Sequence, residues 1–293
     1  MDYSTLKIAY FGGEPLGVPI LNKLHNSGIV PNLIVCNPDR PTGRKQILTA
    51  PPVKQWATEH TIDILQPETL TEEELAPLTN THWDLFIVVA YNKIMPTWLI
   101  NLPKHKTINV HPSLLPLLRG ASPIRSALLQ DMRTTGVTIM LMDEKMDHGP
   151  ILAQERITID EKQWPVSGEV LDAQLSELGG ILLIQTVPEW IAGSITPKEQ
   201  KHEEATYCGR LDRSMGKLDL DPENLPYGET AYETLLRIKA FDGYPGTFFM
   251  HQEKRIKIID AHLSKDGQLE ILRVIPEGKK ECSYTHYLSS LKN

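Results

Sequence analysis

An uninterrupted apolar run at residues 85–90 (LFIVVA) is the feature that most constrains the fold of this chain. Such a run is typical of a strand that is covered on both faces in a parallel sheet. Along the first half of the chain, shorter strand patterns alternate with stretches of helical spacing. The strand patterns cover residues 6–11, 31–36, 62–65 and 107–111, and the helical stretches cover residues 18–24 and 53–60. This alternation predicts a doubly wound, Rossmann-like α/β domain, whose ligands bind beyond the carboxyl ends of the strands.

A polar, proline-containing stretch at residues 193–206 predicts a domain boundary. Before it, strand patterns at 136–142 and 151–159 and a long helical stretch at 168–192 complete a large domain of residues 1–192. After it, residues 207–293 carry short strand patterns separated by turn residues, at 247–250, 255–259 and 269–274. Short strands of this kind predict a small, OB-like β-barrel.

The charge of the chain limits which partners it can have. The formal net charge is −7, and residues 205–293 hold 13 Lys+Arg and 13 Asp+Glu, so the negative excess lies in the first 204 residues. A large non-specific nucleic-acid surface is therefore not expected, and a nucleic-acid partner would need local basic patches.

Composition is that of an ordinary globular enzyme, with 41% hydrophobic and 23% charged residues. No apolar stretch approaches the roughly 20 residues that a membrane helix needs, so we expect no membrane association. Cys36, Cys208 and Cys282 are far apart and fit no metal or disulfide spacing. These features, and an N-terminus without a signal-peptide pattern, predict a cytoplasmic protein.

Three side chains of different chemistry are predicted to meet at one strand end. Asn109 and His111 close the strand pattern at 107–111, and strand alternation places them on the same side. Asp147 adds a carboxylate from a second segment. An amide that stabilises an oxyanion, with an imidazole and a carboxylate that move a proton, suits the transfer of a carbonyl group to an amine. Residues of these types more often only hydrogen-bond turns, so the trio alone leaves both interpretations open.

The sequence around the trio resembles the signature region of the folate-dependent formyltransferases. The similar segments are INVHPSLLP (108–116), RGASPI (119–124) and GVTIMLMDEKMDHGPIL (136–152). The resemblance implies that Asn109, His111 and Asp147 are the catalytic residues and that 10-formyltetrahydrofolate is the co-substrate. The chemistry needs no metal, and no cluster of His, Cys, Asp or Glu at ligand spacing indicates one. The resemblance also implies a folate site, for which we name Phe86, Val88, Ala90, Tyr91, Ser113, Leu114, Leu115, Pro116, Met142 and Asp143.

Within that family the resemblance is strongest to the methionyl-tRNA formyltransferases and covers nearly the whole chain. The loop at 38–54 (PDRPTGRKQILTAPPVK) is similar to their basic insertion loop, and residues 274–280 (VIPEGKK) are similar to their closing segment. The resemblance implies formyl transfer to the α-amine of initiator methionyl-tRNA. The candidate phosphate contacts are Arg40, Arg44, Lys45, Lys254, Lys279 and Lys280.

Two departures from the family pattern lie near the predicted folate site. Residues 12–16 read GGEPL where the family usually has GTPEF, and Asn92 stands where the family has glycine. The stretch between the strand patterns at 255–259 and 269–274 is also shorter than in the family, which predicts a smaller tRNA surface. Gly12 and Gly13 lack the full G-x-G-x-x-G of a dinucleotide loop, so we expect no nucleotide cofactor there.

Other functions share the same trio. A sugar N-formyltransferase acting on a nucleotide-linked amino sugar is favoured by the short C-terminal domain and the acidic charge. A folate- or RNA-binding module without catalysis is disfavoured, because all three catalytic side chains are present. His148, which follows Asp147, is expected to face solvent as a loop histidine.

Overall fold

The computed structural model describes Tyr3, residues 5–43 and residues 45–291. Contacts between Cα atoms divide the chain into two compact units. The first contains the described residues up to Arg119 together with Gly136–Ile157 and Ala173–Tyr207. The second contains Gly120–Thr135, Thr158–Asp172 and the described residues from Cys208 onward. Two segments from within residues 1–192 therefore group with the C-terminal residues, and the boundary at 193–206 stays a prediction.

The described part of the chain alternates strands and helices through its first half and is strand-rich near its end. The strands are β1 (Ile8–Gly12), β2 (Leu33–Val35), β3 (Arg40–Thr42), β4 (Ile47–Thr49), β5 (Asp63–Leu65), β6 (Leu85–Val89), β7 (Thr107–His111), β8 (Arg119–Gly120), β9 (Thr134–Leu141), β10 (Ile151–Thr158), β11 (Tyr207–Cys208), β12 (Thr247–His251), β13 (Lys254–Leu263), β14 (Leu269–Pro276) and β15 (Cys282–Ser283). The α-helices are α1 (Gly17–Asn26), α2 (Pro52–Glu59), α3 (Ala76–Thr79), α4 (Thr97–Ile100), α5 (Pro123–Leu129), α6 (Gly168–Ile191), α7 (Gly228–Ala240) and α8 (Tyr284–Ser289).

The main sheet has the order β10-β9-β7-β6-β1-β2-β5. Its pairs from β5 to β7 are parallel, and β9 runs antiparallel to β7. All five residues of β1 and all five of β6 are buried, as expected for central strands that are covered on both faces. The α/β expectation is confirmed, with a sheet in which parallel pairs dominate. The side-by-side strands β1, β6 and β7 end at the same edge, where ligands of such sheets bind.

Helix α6 corresponds to the long helical stretch predicted at 168–192. It is the helix among the described residues whose length and composition would allow it to cross a membrane. Half of its most apolar window is buried inside the protein, as in the core helix of a globular domain. A Cβ atom at Gly179 would lie 3.1 Å from the Val110 side chain on β7, so this helix packs closely on the sheet.

The second unit is built around an antiparallel sheet of order β12-β13-β14-β15. The three strand patterns predicted after residue 207 are confirmed as β12, β13 and β14. Helix α7 covers the sheet, and Leu235 and Ile238 share an apolar cluster with Phe249 and Ile256. The four-stranded sheet is compatible with a small barrel, whose closure stays a prediction.

Candidate active site

The predicted trio meets at the carboxyl end of β7. The Asn109 amide nitrogen donates a long hydrogen bond of 3.4 Å to Asp147 Oδ1. His111 Nδ1 lies 3.7 Å from the same oxygen. The His111 side chain is only 5% exposed and that of Asp147 is 14% exposed. One carboxylate oxygen therefore faces both an amide donor and an imidazole at the mouth of a buried strand, as strand alternation predicted for Asn109 and His111.

The hydrogen-bond partner of the second ring nitrogen determines the tautomer of His111. Nε2 lies 2.9 Å from the Leu118 backbone carbonyl oxygen, which can only accept a hydrogen bond. Nε2 therefore carries a proton, and Nδ1 is the nitrogen at which the ring can gain or lose one. That nitrogen faces Asp147 at 3.7 Å, beyond hydrogen-bond distance, so proton exchange between the two groups requires a closer approach or a bridging water. Leu118 gave no signal in the sequence, because it acts through its backbone.

Asp147 lies in a tight turn after β9. Its φ angle is +50°, in the left-handed region that non-glycine residues seldom adopt. Two residues later, a Cβ atom at Gly149 would lie 2.0 Å from the Leu141 carbonyl oxygen, so the turn requires glycine there. The carboxylate is thus presented by backbone that is closely packed against the end of β9.

His148 does not face solvent as expected. Its side chain is 25% exposed, and Nδ1 lies 2.6 Å from Asp143 Oδ2. Its ring stacks on that of His202, with centroids 4.0 Å apart and planes 2° from parallel. The expectation of a solvent-facing ring was wrong because Asp143, in the same loop, and His202, distant in sequence, both contact the ring.

The turn formed by Ser113, Leu114, Leu115 and Pro116 begins two residues after His111. Thr138, which pairs with His111 across β7 and β9, donates its hydroxyl to the Ser113 carbonyl at 2.7 Å. Gln154 on β10 donates to the Leu115 carbonyl at 2.9 Å. Neither Thr138 nor Gln154 was singled out by the sequence. Side chains from two strands thus hold the predicted folate turn beside the trio.

The other predicted folate residues occupy two kinds of position. Phe86 and Val88 belong to the apolar core, where the Phe86 ring packs 5.0 Å from that of Phe11. Ala90 and Tyr91 follow the end of β6 and are half-buried, with Ala90 at a φ of +48°. Met142 and Asp143 follow the end of β9 and are also half-buried. Four of the six therefore lie at strand ends, and two lie inside the sheet's packing.

The Tyr91 hydroxyl indicates whether the carboxyl ends of the strands could accommodate a polar ligand such as folate. The oxygen is buried and has no hydrogen-bond partner among the described residues. Burial raises the pKa of this phenol well above its usual range, so the hydroxyl stays protonated and available as a donor. An acceptor atom of a bound ligand would satisfy it, which fits a pterin. The described residues contain no group of three or more His, Cys, Asp or Glu side chains arranged for a metal ion.

The two departures from the family pattern contact each other. Asn92 Nδ2, after the end of β6, donates to Glu14 Oε1, after the end of β1, at 2.5 Å. Gly12 allows β1 to approach β6, because a Cβ atom there would lie 2.9 Å from the Val89 carbonyl oxygen. Asn92 and Glu14 therefore form one bridge between the segments that follow β6 and β1.

The basic segment at 38–54 contains a short hairpin of β3 and β4. Arg40 pairs with Thr49 across the two strands, and its guanidinium makes an exposed ion pair with Glu68 at 2.5 Å. Lys45 is exposed in the turn, and Arg44 lies outside the described residues. Beside these cations, the side chains of Ile47 and Leu48 are more than 60% exposed. The segment thus presents both charge and apolar surface to solvent.

A polar cluster anchors the base of this hairpin. Lys54 Nζ lies 2.8 Å from Asp39 Oδ2, and Gln66 donates to Asp39 Oδ1 at 2.8 Å. Hydrogen bonds from Gln66 and Lys54 hold the pKa of the Asp39 carboxyl below its usual range. Lys54 is therefore engaged in holding the loop, which leaves Lys45 as the described cation at its tip.

In the second unit, the predicted phosphate contacts share one end of the sheet. Lys254 is the first residue of β13, directly after the turn from β12, and Lys279 and Lys280 follow β14; all three are exposed. The two turns adjoin, because the Arg255 carbonyl accepts from the Glu277 backbone N–H at 2.9 Å. The structure therefore brings Lys254, Lys279 and Lys280 to the same edge, with glutamates interspersed.

Comparison with known proteins identifies the family of this chain. The sequence model of the family described as formyl transferase matches residues 6–187, which contain the whole trio. A methionyl-tRNA formyltransferase from Listeria welshimeri is 40% identical over 256 residues, 87% of this chain and 78% of that protein. The chain belongs to the methionyl-tRNA formyltransferase family. A member from Bacillus subtilis is 37% identical over 253 residues, 86% of this chain and 77% of that one.

Solved structures of proteins with other names share the fold. A sugar N-formyltransferase from a Shewanella species superposes with a TM-score of 0.63 at 19% identity, covering 94% of this chain and 99% of that one. HypX from Aquifex aeolicus in complex with tetrahydrofolic acid gives a TM-score of 0.64 at 15% identity, covering 98% of this chain and 47% of that one. At these identities the likeness is one of fold.

Proposed function

We propose that this protein transfers the formyl group of 10-formyltetrahydrofolate to the α-amine of initiator methionyl-tRNA. The main observation behind this proposal is that Asn109 and His111 both face the same carboxylate oxygen of Asp147. Membership of the methionyl-tRNA formyltransferase family supports the choice of acceptor. Such an enzyme acts where tRNA is charged and used, so we also propose a cytoplasmic location.

The reaction exchanges one C–N bond for another. The neutral α-amine of the methionyl group attacks the formyl carbon, and a C–N bond forms as the carbonyl oxygen becomes an oxyanion. The tetrahedral intermediate collapses by breaking the bond to N10 of the folate. The amine loses a proton and N10 gains one, so the transfer needs a group that accepts a proton and returns it.

Asn109 supplies the stabilising donor. Its amide is neutral and is held by the otherwise buried strand β7, so it is oriented before the charge develops. Among the described residues, this amide donates a long 3.4 Å hydrogen bond to Asp147. A weak contact of this kind is readily exchanged for a stronger bond to the oxyanion, which stabilises the transition state more than the substrate.

Asp147 and His111 move the proton. The carboxylate accepts the amine proton, and His111 Nδ1 lies within 3.7 Å to share the charge. The Leu118 carbonyl keeps Nε2 protonated and the ring oriented, so that Nδ1 faces the carboxylate throughout. Because both side chains are largely buried, their electrostatic coupling is screened less than at a surface.

The folate lies, in this proposal, against the strand ends beside the trio. The turn of Ser113, Leu114, Leu115 and Pro116 forms one wall, and Ala90, Tyr91, Met142 and Asp143 form the other. Backbone groups at these strand ends would read the edge of the pterin, and the Tyr91 hydroxyl would donate to it. Phe86 and Val88 support that surface from the core side.

The tRNA contacts are divided between a hairpin and a small sheet. Arg40 and Lys45 lie on the basic hairpin segment, which would follow the phosphates near the acceptor end, and Arg44 is the candidate contact that lies outside the described residues. Lys254, Lys279 and Lys280 gather at one end of the second-unit sheet, which we propose to be the core of an OB-like barrel. Such contacts position the substrate without taking part in the chemistry.

Replacing Lys45 by alanine is expected to weaken tRNA binding without changing the chemical step. Loss of one phosphate contact should raise KM for methionyl-tRNA several-fold and reduce the slope of log(kcat/KM) against log salt by about 1. Steady-state kinetics at several salt concentrations measure both. Lys162→Ala removes an exposed lysine from a different turn and serves as the control. Equal effects in the two variants would show that only net charge matters.

An acceptor that is an amino sugar remains the second candidate, and the size of the C-terminal unit favours it. The alignments cover only about four fifths of the length of the methionyl-tRNA formyltransferase relatives, 78% for the Listeria welshimeri protein.

The deciding experiment measures tetrahydrofolate release from 10-formyltetrahydrofolate with methionyl-tRNA or with dTDP-linked amino sugars. Release with methionyl-tRNA alone supports the proposal, and release with a sugar alone overturns it while preserving the chemistry of the trio.

A further inference from the structure

The side chain of Gln200 lies beneath the turn that carries Asp147. It is 5% exposed, and its amide nitrogen donates to the carbonyl oxygens of Asp147, at 3.0 Å, and Gly149, at 2.7 Å. Both protons of the amide are therefore used on one turn. Gln200 precedes the short 3-10 helix His202–Glu204 and is far from residue 147 in the sequence.

A buried arginine fixes the orientation of that amide. Arg119 is 1% exposed, and it donates to Gln200 Oε1 from Nε at 3.1 Å and from Nη2 at 2.6 Å. A flipped amide would place its own N–H groups against those of the guanidinium, so only one orientation is compatible with Arg119. The oxygen of Gln200 is thus saturated by two donors and the nitrogen by two acceptors.

The same arginine also supports the residue that follows Asp147. Arg119 Nη2 donates to His202 Nδ1 at 2.9 Å, and the His202 ring stacks on that of His148. The turn is therefore fixed at the backbone through Gln200 and at the side chain of His148 through His202. Both attachments lead to one guanidinium that is inaccessible to solvent.

The Asp147 backbone needs such support. Its positive φ is an unfavourable conformation for aspartate, and it persists only where the surroundings impose it. Loss of the bonds to the carbonyls of 147 and 149 would let the turn relax toward ordinary backbone angles. The carboxylate would then move away from Asn109 and His111, with which its contacts are already long.

We propose that Gln200, oriented by Arg119, is a positioning residue that holds the Asp147 carboxylate in its reactive place. The inference rests on the proposed function, because it assigns Gln200 an effect through Asp147 on formyl transfer. A displacement of about 1 Å at a reacting group lowers a rate by as much as 10²-fold. Gln200 touches neither substrate in this proposal and contributes only by holding the turn.

Two substitutions separate positioning from folding. Gln200→Met removes all four hydrogen bonds at similar volume. Gln200→Glu keeps an oxygen acceptor for the buried Arg119 guanidinium but replaces the N–H donor that holds the turn by a second oxygen. Because Arg119 keeps its partner, this variant provides the test if Gln200→Met unfolds. We expect each folded variant to lower kcat for formyl transfer by about 10- to 10²-fold with KM for methionyl-tRNA and folate unchanged. Gln174→Met is the matched control, since the buried Gln174 Oε1 has no hydrogen-bond partner among the described residues; its activity should equal wild type.

A double-mutant cycle tests whether Gln200 acts through Asp147. The four proteins are wild type, Gln200→Glu, Asp147→Asn and the double variant, assayed in single turnover. If Gln200 acts through that carboxylate, its substitution should cost little once Asp147 is changed, so the effects are strongly non-additive. Additive effects, a raised KM in place of a lowered kcat, or full activity of Gln200→Glu would overturn the proposal. An inactive wild type with methionyl-tRNA would refute the proposed function instead, because that result does not depend on Gln200.

Discussion

Replacing Asp147 by asparagine is expected to lower kcat for formyl transfer by about 10²- to 10⁴-fold, the usual contribution of a positioned general base. Asparagine matches aspartate in size and retains an oxygen that can accept from Asn109, so the turn and the packing should be preserved. What is lost is the ability to take the amine proton and to pair with His111. KM for methionyl-tRNA should stay close to the wild-type value, because Asp147 contributes to the transition state rather than to binding.

Rapid-quench kinetics of formyl transfer, with the variant in excess over methionyl-tRNA, measure this loss without interference from product release. Asp84→Asn makes the same chemical change at an aspartate whose carboxylate accepts from the Lys7 backbone N–H. That control should transfer formyl groups at the wild-type rate. Turnover of Asp147→Asn within a few-fold of wild type would show that another group takes the proton.

Asn109→Ala is expected to lower kcat by about 10²- to 10³-fold, the typical cost of removing one oxyanion donor. Asn109 is the half-buried middle residue of β7 and does not belong to the buried core, so the variant should fold. The loss should appear in kcat and in kcat/KM equally, because the donor acts on charge that exists only in the transition state.

Steady-state kinetics together with a thermal melt distinguish this effect from instability. Asn101→Ala removes an exposed asparagine whose amide donates to the Thr97 carbonyl and accepts from Lys106 Nζ, and it should be unaffected in rate. A rise in KM for folate at constant kcat would reassign Asn109 to substrate binding. Unchanged kinetics would remove it from the mechanism.

The sequence predicts the parts of the site that follow from local pattern. Alternation along β7 was enough to place Asn109 and His111 on one side of a strand end. The buried run at 85–90 was enough to predict a parallel strand, because only strands covered on both faces tolerate such composition. Asp147 was reached by resemblance, since nothing in the residues near it indicates that its turn returns to β7.

What the sequence could not predict are the contacts between distant segments. Gln200 and Arg119 are 81 residues apart, and their pairing becomes visible only when the chain is folded. The Leu118 carbonyl orients His111 through backbone, which carries no residue signature. The bridge between Glu14 and Asn92 shows the same limit, because each residue alone looked like a departure from the family and their contact makes them a pair.

Mass spectrometry of the amino acid on the tRNA is the most direct test of the proposed reaction. The protein is incubated with initiator methionyl-tRNA and 10-formyltetrahydrofolate, and the aminoacyl group is released by mild base. N-formylmethionine is the expected product, formed by wild type and greatly reduced with Asp147→Asn. Unmodified methionine after prolonged incubation with wild type would contradict formyl transfer to this acceptor.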